Sequence, residues 1–163
     1  MQITSAMKMV SAAKLKRAQD AITQMRPYAN KLTELLANLS STLDASDGGV
    51  YSEKRELKKV LFVIITSNRG LCGGFNANII KKAKLLIEED YKGKEVNIIS
   101  IGKKSSEHFT KNKYNVASTH DDLYADLSFS NTSDIAQSIM DSFTNKVYDL
   151  SLIHISEPTR HRG

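Results

Sequence analysis

A glycine-rich segment with a single cysteine, Arg69 to Gly74, comes nearest to phosphate-binding or catalytic chemistry in this sequence. It follows an apolar run and precedes an amphipathic one, which is where phosphate-binding loops occur in α/β folds. The spacing does not fit, because a dinucleotide loop needs G-x-G-x-x-G and a Walker loop ends in Gly-Lys-Ser or Gly-Lys-Thr. Here the last glycine is followed by Phe-Asn. We therefore predict a tight structural turn with close helix packing, made by Arg69, Gly70, Cys72, Gly73 and Gly74.

Cys72 is the only thiol in the chain, and a nucleophilic cysteine needs a base beside it. The candidate bases His108 and His120 lie far along the chain, in a predicted helix and a predicted loop, so a packing or turn role is favoured for the thiol. The acidic runs at 88–90 and 121–122 fit a solvated helix end and a loop. Since no residues have the spacing of a metal site, we predict no active site and no cofactor.

Alternating strands and helices are predicted around and after this turn. Val60–Thr66 is apolar on both faces, as in a strand buried in the middle of a sheet. Further strands are predicted at Val96–Ile101, at Tyr114–Ser118 and from Val147 onward. Helices are predicted at Asn76–Tyr91 with Asn76 as N-cap, at Lys103–Thr110, and at Thr132–Asn145 capped by Thr132 or Ser133. The alternation predicts an α/β domain with a mainly parallel sheet.

The first 43 residues predict one long helix, because they contain no glycine and carry apolar side chains at helical spacing. A regular three-four spacing, typical of a coiled-coil seam, is formed by Ile22, Met25, Ala29, Leu32, Leu36, Leu39 and Leu43. Pro27 predicts a kink near Gln24–Arg26 rather than a stop, because the leucine pattern resumes at once. Such a helix would be about 65 Å long, so we expect it to need a packing partner. A turn-rich linker is predicted at Asp44–Gly49.

The net charge of +5 is concentrated in the first half of this helix. Between Met1 and Arg26 the only acidic residue is Asp20, and the basic residues are Lys8, Lys14, Lys16, Arg17 and Arg26. A solvated face would explain this, and otherwise the helix meets a negatively charged partner. Nucleic acid is disfavoured because interleaved aromatic residues are missing, and a membrane surface because the apolar face is Ala, Met and Leu. An acidic protein is the favoured partner.

Three segments carry a resemblance to a known family. They are Q-I-T-S-A-M-K-M-V-S-A-A-K-L at Gln2–Leu15, M-R-P-Y at Met25–Tyr28 and N-R-G-L-C-G-G-F-N at Asn68–Asn76. In order and spacing they resemble the signature segments of the ATP synthase gamma chain family, bacterial members above all. The resemblance implies a non-catalytic rotor stalk of the F-type ATP synthase, in which proton or sodium flow is coupled to ATP synthesis at the beta subunits. It also implies an antiparallel coiled coil of N- and C-terminal helices, and a Rossmann-like domain that binds no nucleotide.

The same resemblance implies partners and contact residues. Met7 falls at the family position that touches an acidic lever loop of the beta subunit. The other expected coupling contacts, alongside Met7, are Lys8, Met9, Lys14 and Arg17. The expected partners are the alpha and beta subunits of the catalytic head, the epsilon subunit and the membrane c-ring, with no nucleic acid and no membrane insertion. The expected location is peripheral, at the cytoplasmic face of the bacterial inner membrane.

Both ends of the chain depart from that family. Family members are expected to have more residues before Gln2, and to continue after residue 149 into the rest of the sheet and a long C-terminal helix. Leu150 to Arg160 agree instead, at all eleven positions, with the translation of a transposase-type sequencing adapter. We therefore predict a stalk helix and linker at 1–57, a partial α/β domain at 58–149 and a non-native tail at 150–163. The alternative is a divergent tail with a strand at Leu152–Ile155.

A chain without the second arm of the coiled coil is expected to be inactive alone as a rotor and to expose its apolar seam. Two functions of other classes stay open at this point. One is a nucleotide-binding α/β enzyme with a helical oligomerisation arm, and the other is a basic coiled-coil adaptor for nucleic acid.

Overall fold

The computed structural model describes residues 2–42, 49–53 and 55–154, and the side chains of all of these except 2, 3, 40–42 and 52. The helices are α1 (Gln2–Thr42), α2 (Phe75–Glu88), α3 (Lys103–Lys111) and α4 (Phe129–Thr144), with a short 3-10 helix at Val50–Ser52. The strands are β1 (Lys59–Ile65), β2 (Glu95–Ile101), β3 (Val116–His120) and β4 (Leu150–His154). The chain divides into two compact units, residues 1–53 and 54–163.

α1 forms the first unit's main element and runs unbroken for 41 residues, with Pro27 inside it. Proline cannot donate the backbone hydrogen bond of its turn, but the strong helix formers on both sides keep the helix going. The long N-terminal helix is therefore confirmed. The bend near Gln24–Arg26 stays a prediction, and the predicted helix end at Leu43 and linker at 44–48 lie outside the described residues.

The second unit is built on a four-stranded parallel sheet in the order β3-β2-β1-β4. β1 lies between β2 and β4, so Phe62 is opposite Ile98 on one side and Leu152 on the other. This central position explains the unbroken apolar run from Val60 to Ile64, in which no residue is more than 2% exposed. The predicted α/β fold with a parallel sheet is confirmed.

Helices cover both faces of the sheet. Val60, Phe62 and Ile64 pack on one face against α2 and α3, through a cluster that includes Ile79, Ala83 and Phe109. Leu61 and Val63 face the other way and pack against α4 through Ile135 and Ile139. β1 therefore contributes side chains to two hydrophobic cores, one on each face of the sheet. Burial of each large apolar side chain contributes about 1.5–3 kcal/mol to stability.

Several predicted boundaries were wrong, and local hydrogen bonds explain the differences. α4 starts at Phe129 rather than Thr132, because the Ser128 side chain caps the helix by accepting from the Asn131 N–H at 3.3 Å. α2 has Gly74 rather than Asn76 at its N-cap, since the Asn76 amide is used in the preceding loop. α2 also ends at Glu88, three residues before the predicted Tyr91.

Turns with a positive φ displace two of the strands. β3 begins at Val116 rather than Tyr114, because Lys113 has a φ of 60° and the Tyr114 N–H still donates to the Phe109 carbonyl at 3.0 Å. β4 begins at Leu150 rather than Val147, because Lys146 has a φ of 60°. In both places the chain finishes closing the helix before it can extend.

The strand at Leu150–His154 lies in the segment for which the sequence predicts a non-native origin. Its position overlaps the strand expected for a divergent tail, two residues earlier than Leu152. The origin of the segment stays a prediction, and residues 155–163 lie outside the described residues.

Candidate functional site

The first half of α1 carries the five predicted coupling contacts, and all five side chains are exposed. Met7 and Met9 are each 66% exposed, a high value for residues of their size. On a helix with about 100° per residue, Lys14 lies about 20° from Met7 and Arg17 about 80°, so these three share one side. Lys8 lies about 100° from Met7 and Met9 about 160°, so the helix does not bring all five residues to one face.

The second half of α1 carries the apolar seam, whose large side chains are exposed in the part of the first unit that the structure describes. The exposed fraction is 53% for Ile22, 60% for Met25, 42% for Leu32, 63% for Leu36 and 54% for Leu39. Their spacing puts them on one stripe along the helix. Exposure of such a stripe to water is unfavourable by about 25 cal/mol per Å² of apolar area, so covering it with another helix would be favourable.

Two side chains hold the glycine-rich turn between β1 and α2: Ser67, whose Oγ donates to the Arg69 carbonyl at 2.6 Å, and Asn76. The Asn76 Oδ1 accepts from the Ser67 N–H at 3.0 Å, and its Nδ2 donates to the Arg69 carbonyl at 3.1 Å. Nδ2 also lies 3.2 Å from the Cys72 Sγ. The Asn76 amide therefore connects both ends of the turn to the start of α2. The sequence predicted a different role for Asn76, the N-cap of this helix.

Only one of the three glycines in this turn has a left-handed backbone. Gly73 has a φ of 60°, whereas Gly74 has a φ of −80° and Gly70 is not among the residues with a positive φ. A Cβ built on Gly70 would have no atom within 4 Å. The other left-handed residue is Leu71, with a φ of 58° and a fully exposed side chain. Leucine is disfavoured in this conformation, so the turn holds Leu71 outward at some cost in conformational energy.

Neither of the two histidines considered as a base for Cys72 lies against the thiol in the described structure. The thiol is exposed and its recorded neighbours are Ser67, Arg69 and Asn76. The His120 ring lies within hydrogen-bond distance of the Ser118 hydroxyl, at 3.1 Å. His108 belongs to α3 and lines the groove between α2 and α3. The described residues include no group of three His, Cys, Asp or Glu side chains that could hold a metal ion. No helix among the described residues is long and apolar enough to cross a membrane.

At the carboxyl ends of β1 and β2, the chain's own polar groups hydrogen-bond to one another. Thr66 is fully buried, and its Oγ1 donates to the Ser105 Oγ and accepts from the Ser105 N–H, both at 2.9 Å. The Ser100 and Ser105 hydroxyls bond to each other. The Tyr124 hydroxyl donates to the Thr66 carbonyl at 2.9 Å, and burial raises the pKa of Tyr124.

Gly102 makes this network possible and was missed by the sequence reading. Its φ is 101°, and a Cβ built on it would lie 2.0 Å from the Thr66 carbonyl oxygen. Asn68, in the loop after β1, bonds to two other segments. Its Oδ1 accepts from the Lys103 N–H at the start of α3 at 2.8 Å, and its Nδ2 donates to the Asp121 carbonyl after β3 at 2.6 Å. These contacts join β1, β2 and the segment after β3 at this end of the sheet.

Comparison with known proteins gives a consistent answer. A protein-family model described as ATP synthase matches residues 1–159. The chain is 53% identical over 149 residues to the ATP synthase gamma chain of Christiangramia forsetii, covering 91% of this chain and 52% of that protein. It is 56% identical over 149 residues to the ATP synthase gamma chain of Flavobacterium psychrophilum, covering 91% of this chain and 51% of that protein. It is 49% identical over 140 residues to the ATP synthase gamma chain of Chlorobaculum parvum, covering 83% of this chain and 48% of that protein.

The chain spans about half the length of these curated relatives. Within that half, the family model covers α1 and all four strands of the sheet. On this evidence the chain belongs to the ATP synthase gamma chain family.

Proposed function

We propose that this chain serves in the central rotor stalk of an F-type ATP synthase, with α1 as one helix of the stalk. The observation that carries the proposal is the exposed apolar seam of α1, which runs from Ile22 to Leu39 on a helix of 41 residues. Family membership supports it, because the curated relatives are named ATP synthase gamma chains. In this role the seam packs permanently against a second helix of the stalk.

The first half of α1 has a different task in this proposal, which is to touch the ring of alpha and beta subunits during rotation. Its exposed surface combines Met7 with Lys14 and Arg17 on one side. Flexible Met side chains and screened surface charge attract an acidic partner without locking into it, whereas deep knobs-into-holes packing would oppose rotation. Lys8 and Met9 would contact the ring at other rotor angles.

The α/β unit is non-catalytic in this proposal. It would sit near the epsilon subunit and the c-ring, peripheral to the bacterial inner membrane on its cytoplasmic face. The glycine spacing of the turn at 69–74 argues against the alternative of a nucleotide-binding enzyme, because it fits neither a dinucleotide loop nor a Walker loop. The alternative of a basic adaptor for nucleic acid is disfavoured because no aromatic residue is interleaved with the basic residues of Met1–Arg26.

A chimaeric gamma chain tests the proposal. Residues 1–149 would replace the matching part of the Flavobacterium johnsoniae gamma chain, to which this chain is 55% identical. The chimaera would then be co-expressed with the alpha and beta subunits of that organism. We expect a co-purifying complex that hydrolyses ATP and, in membranes with the remaining subunits, pumps ions. A chimaera that folds but is excluded from the complex would contradict the proposal, as would assembly without any coupling.

A further inference from the structure

α2 and α3 lie side by side on one face of the sheet and leave a groove of about 740 Å³ between them. The middle of the groove is apolar and is lined by Ala77, Ile80 and Leu85. Leu85 is 50% exposed, so the groove presents an apolar strip to solvent rather than a sealed core. The groove lies wholly within the second unit. Exposed apolar strips of this kind mark interaction surfaces.

The rims of the groove are basic. α2 supplies Lys81 and Lys84, and α3 supplies Lys104 and Lys111. In the part of the chain that the structure describes, only Lys104 of these four forms an ion pair, with Glu107 at 3.0 Å. The other three keep their positive charge available to a partner.

The two acidic residues of the groove are already engaged. Glu107 is bound by Lys104 and lies 3.9 Å from Lys103, and these lysines lower the pKa of its carboxyl group. Glu88 accepts from the Tyr114 hydroxyl at 3.1 Å. Burial and then the charge of Lys84 lower the pKa of His108, whose Nε2 is buried without a hydrogen-bond partner. The field of the groove is therefore positive on both sides of an apolar floor.

The shape of the groove favours a helix as its occupant. α2 and α3 both follow strands of one parallel sheet, so they run in the same direction and form two parallel ridges. α2 has 14 residues and α3 has nine, so the length lined by both helices is about 13 Å, which matches two to three turns of a third helix. An amphipathic helix binds in such a groove by placing its apolar side chains at i, i+3, i+4 and i+7 on the floor.

We propose that the groove between α2 and α3 binds an acidic amphipathic helix of another protein. The apolar side of that helix covers Ala77, Ile80 and Leu85, and its flanking carboxylates pair with Lys81, Lys84 and Lys111. Nucleic acid fits less well, because no aromatic side chain lines the groove for base stacking and a phosphate backbone leaves the apolar floor uncovered. The inference uses only residues 75–114 and does not depend on the stalk role.

The test uses the full 163-residue chain carrying Leu32→Glu/Leu36→Glu, which removes the exposed seam of α1 as a second binding surface, and a fluorescent 16-residue peptide with Leu at helical i, i+3, i+4 spacing and Glu elsewhere. Fluorescence anisotropy measures affinity, and amide chemical shifts of the ¹⁵N-labelled chain locate the peptide. We expect shifts concentrated in α2 and α3. The variant Lys84→Glu/Lys111→Glu should weaken binding about tenfold or more, because two attractive contacts become repulsive.

A matched control separates the groove from net charge. Lys92→Glu/Lys94→Glu makes the same change in net charge at exposed residues outside the groove, and should change affinity less than about twofold. Leu85→Ser tests the floor without altering charge and should also weaken the peptide severalfold. Thermal unfolding of each variant shows whether it is folded, and Lys84→Gln/Lys111→Gln replaces the reversal if that variant is not.

Three results would overturn the inference. The first is equal loss of affinity in the two double lysine variants, which would mean attraction by net charge alone. The second is equal binding of a peptide with the same composition but scrambled spacing. The third is tighter binding of a single-stranded oligonucleotide that displaces the peptide and is weakened by Lys84→Glu/Lys111→Glu, which would assign the groove to nucleic acid.

Discussion

Gly102 and Gly70 show at the residue scale how differently two glycines can be constrained. Gly102 has a φ of 101° and touches the Thr66 carbonyl, whereas Gly70 has nothing within 4 Å of a built Cβ. We expect Gly102→Ala to lower the free energy of unfolding by about 3 kcal/mol or more, because both the backbone angle and the contact oppose a side chain.

The matched substitution Gly70→Ala should stay within about 1 kcal/mol of the parent chain. Urea unfolding followed by tyrosine fluorescence measures both variants, since the chain has six tyrosines and no tryptophan. Equal effects of the two substitutions would show that the close approach at Gly102 is not needed.

Met7 carries a residue-scale prediction that belongs to the proposed stalk role. Met7→Lys in the chimaeric complex should add an ion pair with the acidic loop of the beta subunit and lower the number of ions pumped per ATP hydrolysed. The ion pair must be broken at each step of rotation, whereas the thioether slides past. The control Gln19→Lys adds the same charge on another side of α1, about 120° away. Coupling equal to that of the parent complex would sink this prediction.

At the scale of elements, β4 fits its place in the sheet less well than β1 does. Ser151 Oγ and His154 Nε2 are buried without a hydrogen-bond partner, and His108 Nε2 is the one other such atom in the described part of the chain. Burial lowers the pKa of His154, whose ring stacks on Phe62 at 5.3 Å. Because His108 in α3 has the same kind of unpaired atom, these groups do not decide the origin of residues 150–163, which stays a prediction.

Removing the unpaired hydroxyl of β4 should stabilise the second unit. We expect Ser151→Ala to raise the free energy of unfolding by about 1 kcal/mol, because a buried hydroxyl without a partner is lost. The same substitution at Ser105 should lower it by about 1–3 kcal/mol, since Thr66 and Ser100 would lose their bonding partner. The two variants remove the same hydroxyl group but should change the free energy of unfolding in opposite directions. The midpoints of urea unfolding measure both changes. Destabilisation by Ser151→Ala would contradict our account of β4.

The elements were predicted from periodicity, and some ends, such as those at Ile101 and Lys103, were predicted too, but several others were not. Each strand and helix of the α/β unit was expected, because apolar spacing follows directly from which faces are buried. The ends depended on individual bonds such as the Ser128 side chain at the start of α4 and the positive φ of Lys146 before β4. Such bonds depend on a few atoms and leave no periodic pattern in the sequence.

At the scale of the whole molecule, the exposed seam of α1 predicts self-association. We expect the 163-residue chain to form oligomers at micromolar concentrations, because burial of Ile22, Met25, Leu32, Leu36 and Leu39 needs a second helix. Leu32→Glu/Leu36→Glu should shift the chain toward the monomer in size-exclusion chromatography with light scattering. The control Gln19→Glu/Asn30→Glu adds the same charge away from the seam and should leave the oligomers in place. A monodisperse parent monomer would count against the seam as a packing surface.

The sequence by itself determined the long helix, the parallel α/β unit and the family, because each follows from local periodicity or from short motifs such as that at Asn68–Asn76. Only the tertiary structure revealed the need for glycine at 102 and the basic groove between α2 and α3. Gly102 meets Thr66, 36 residues away, and the lysines of the groove come from two separate helices. Contacts between distant residues depend on how the sheet brings its connections together, and no pattern along the chain records that distance.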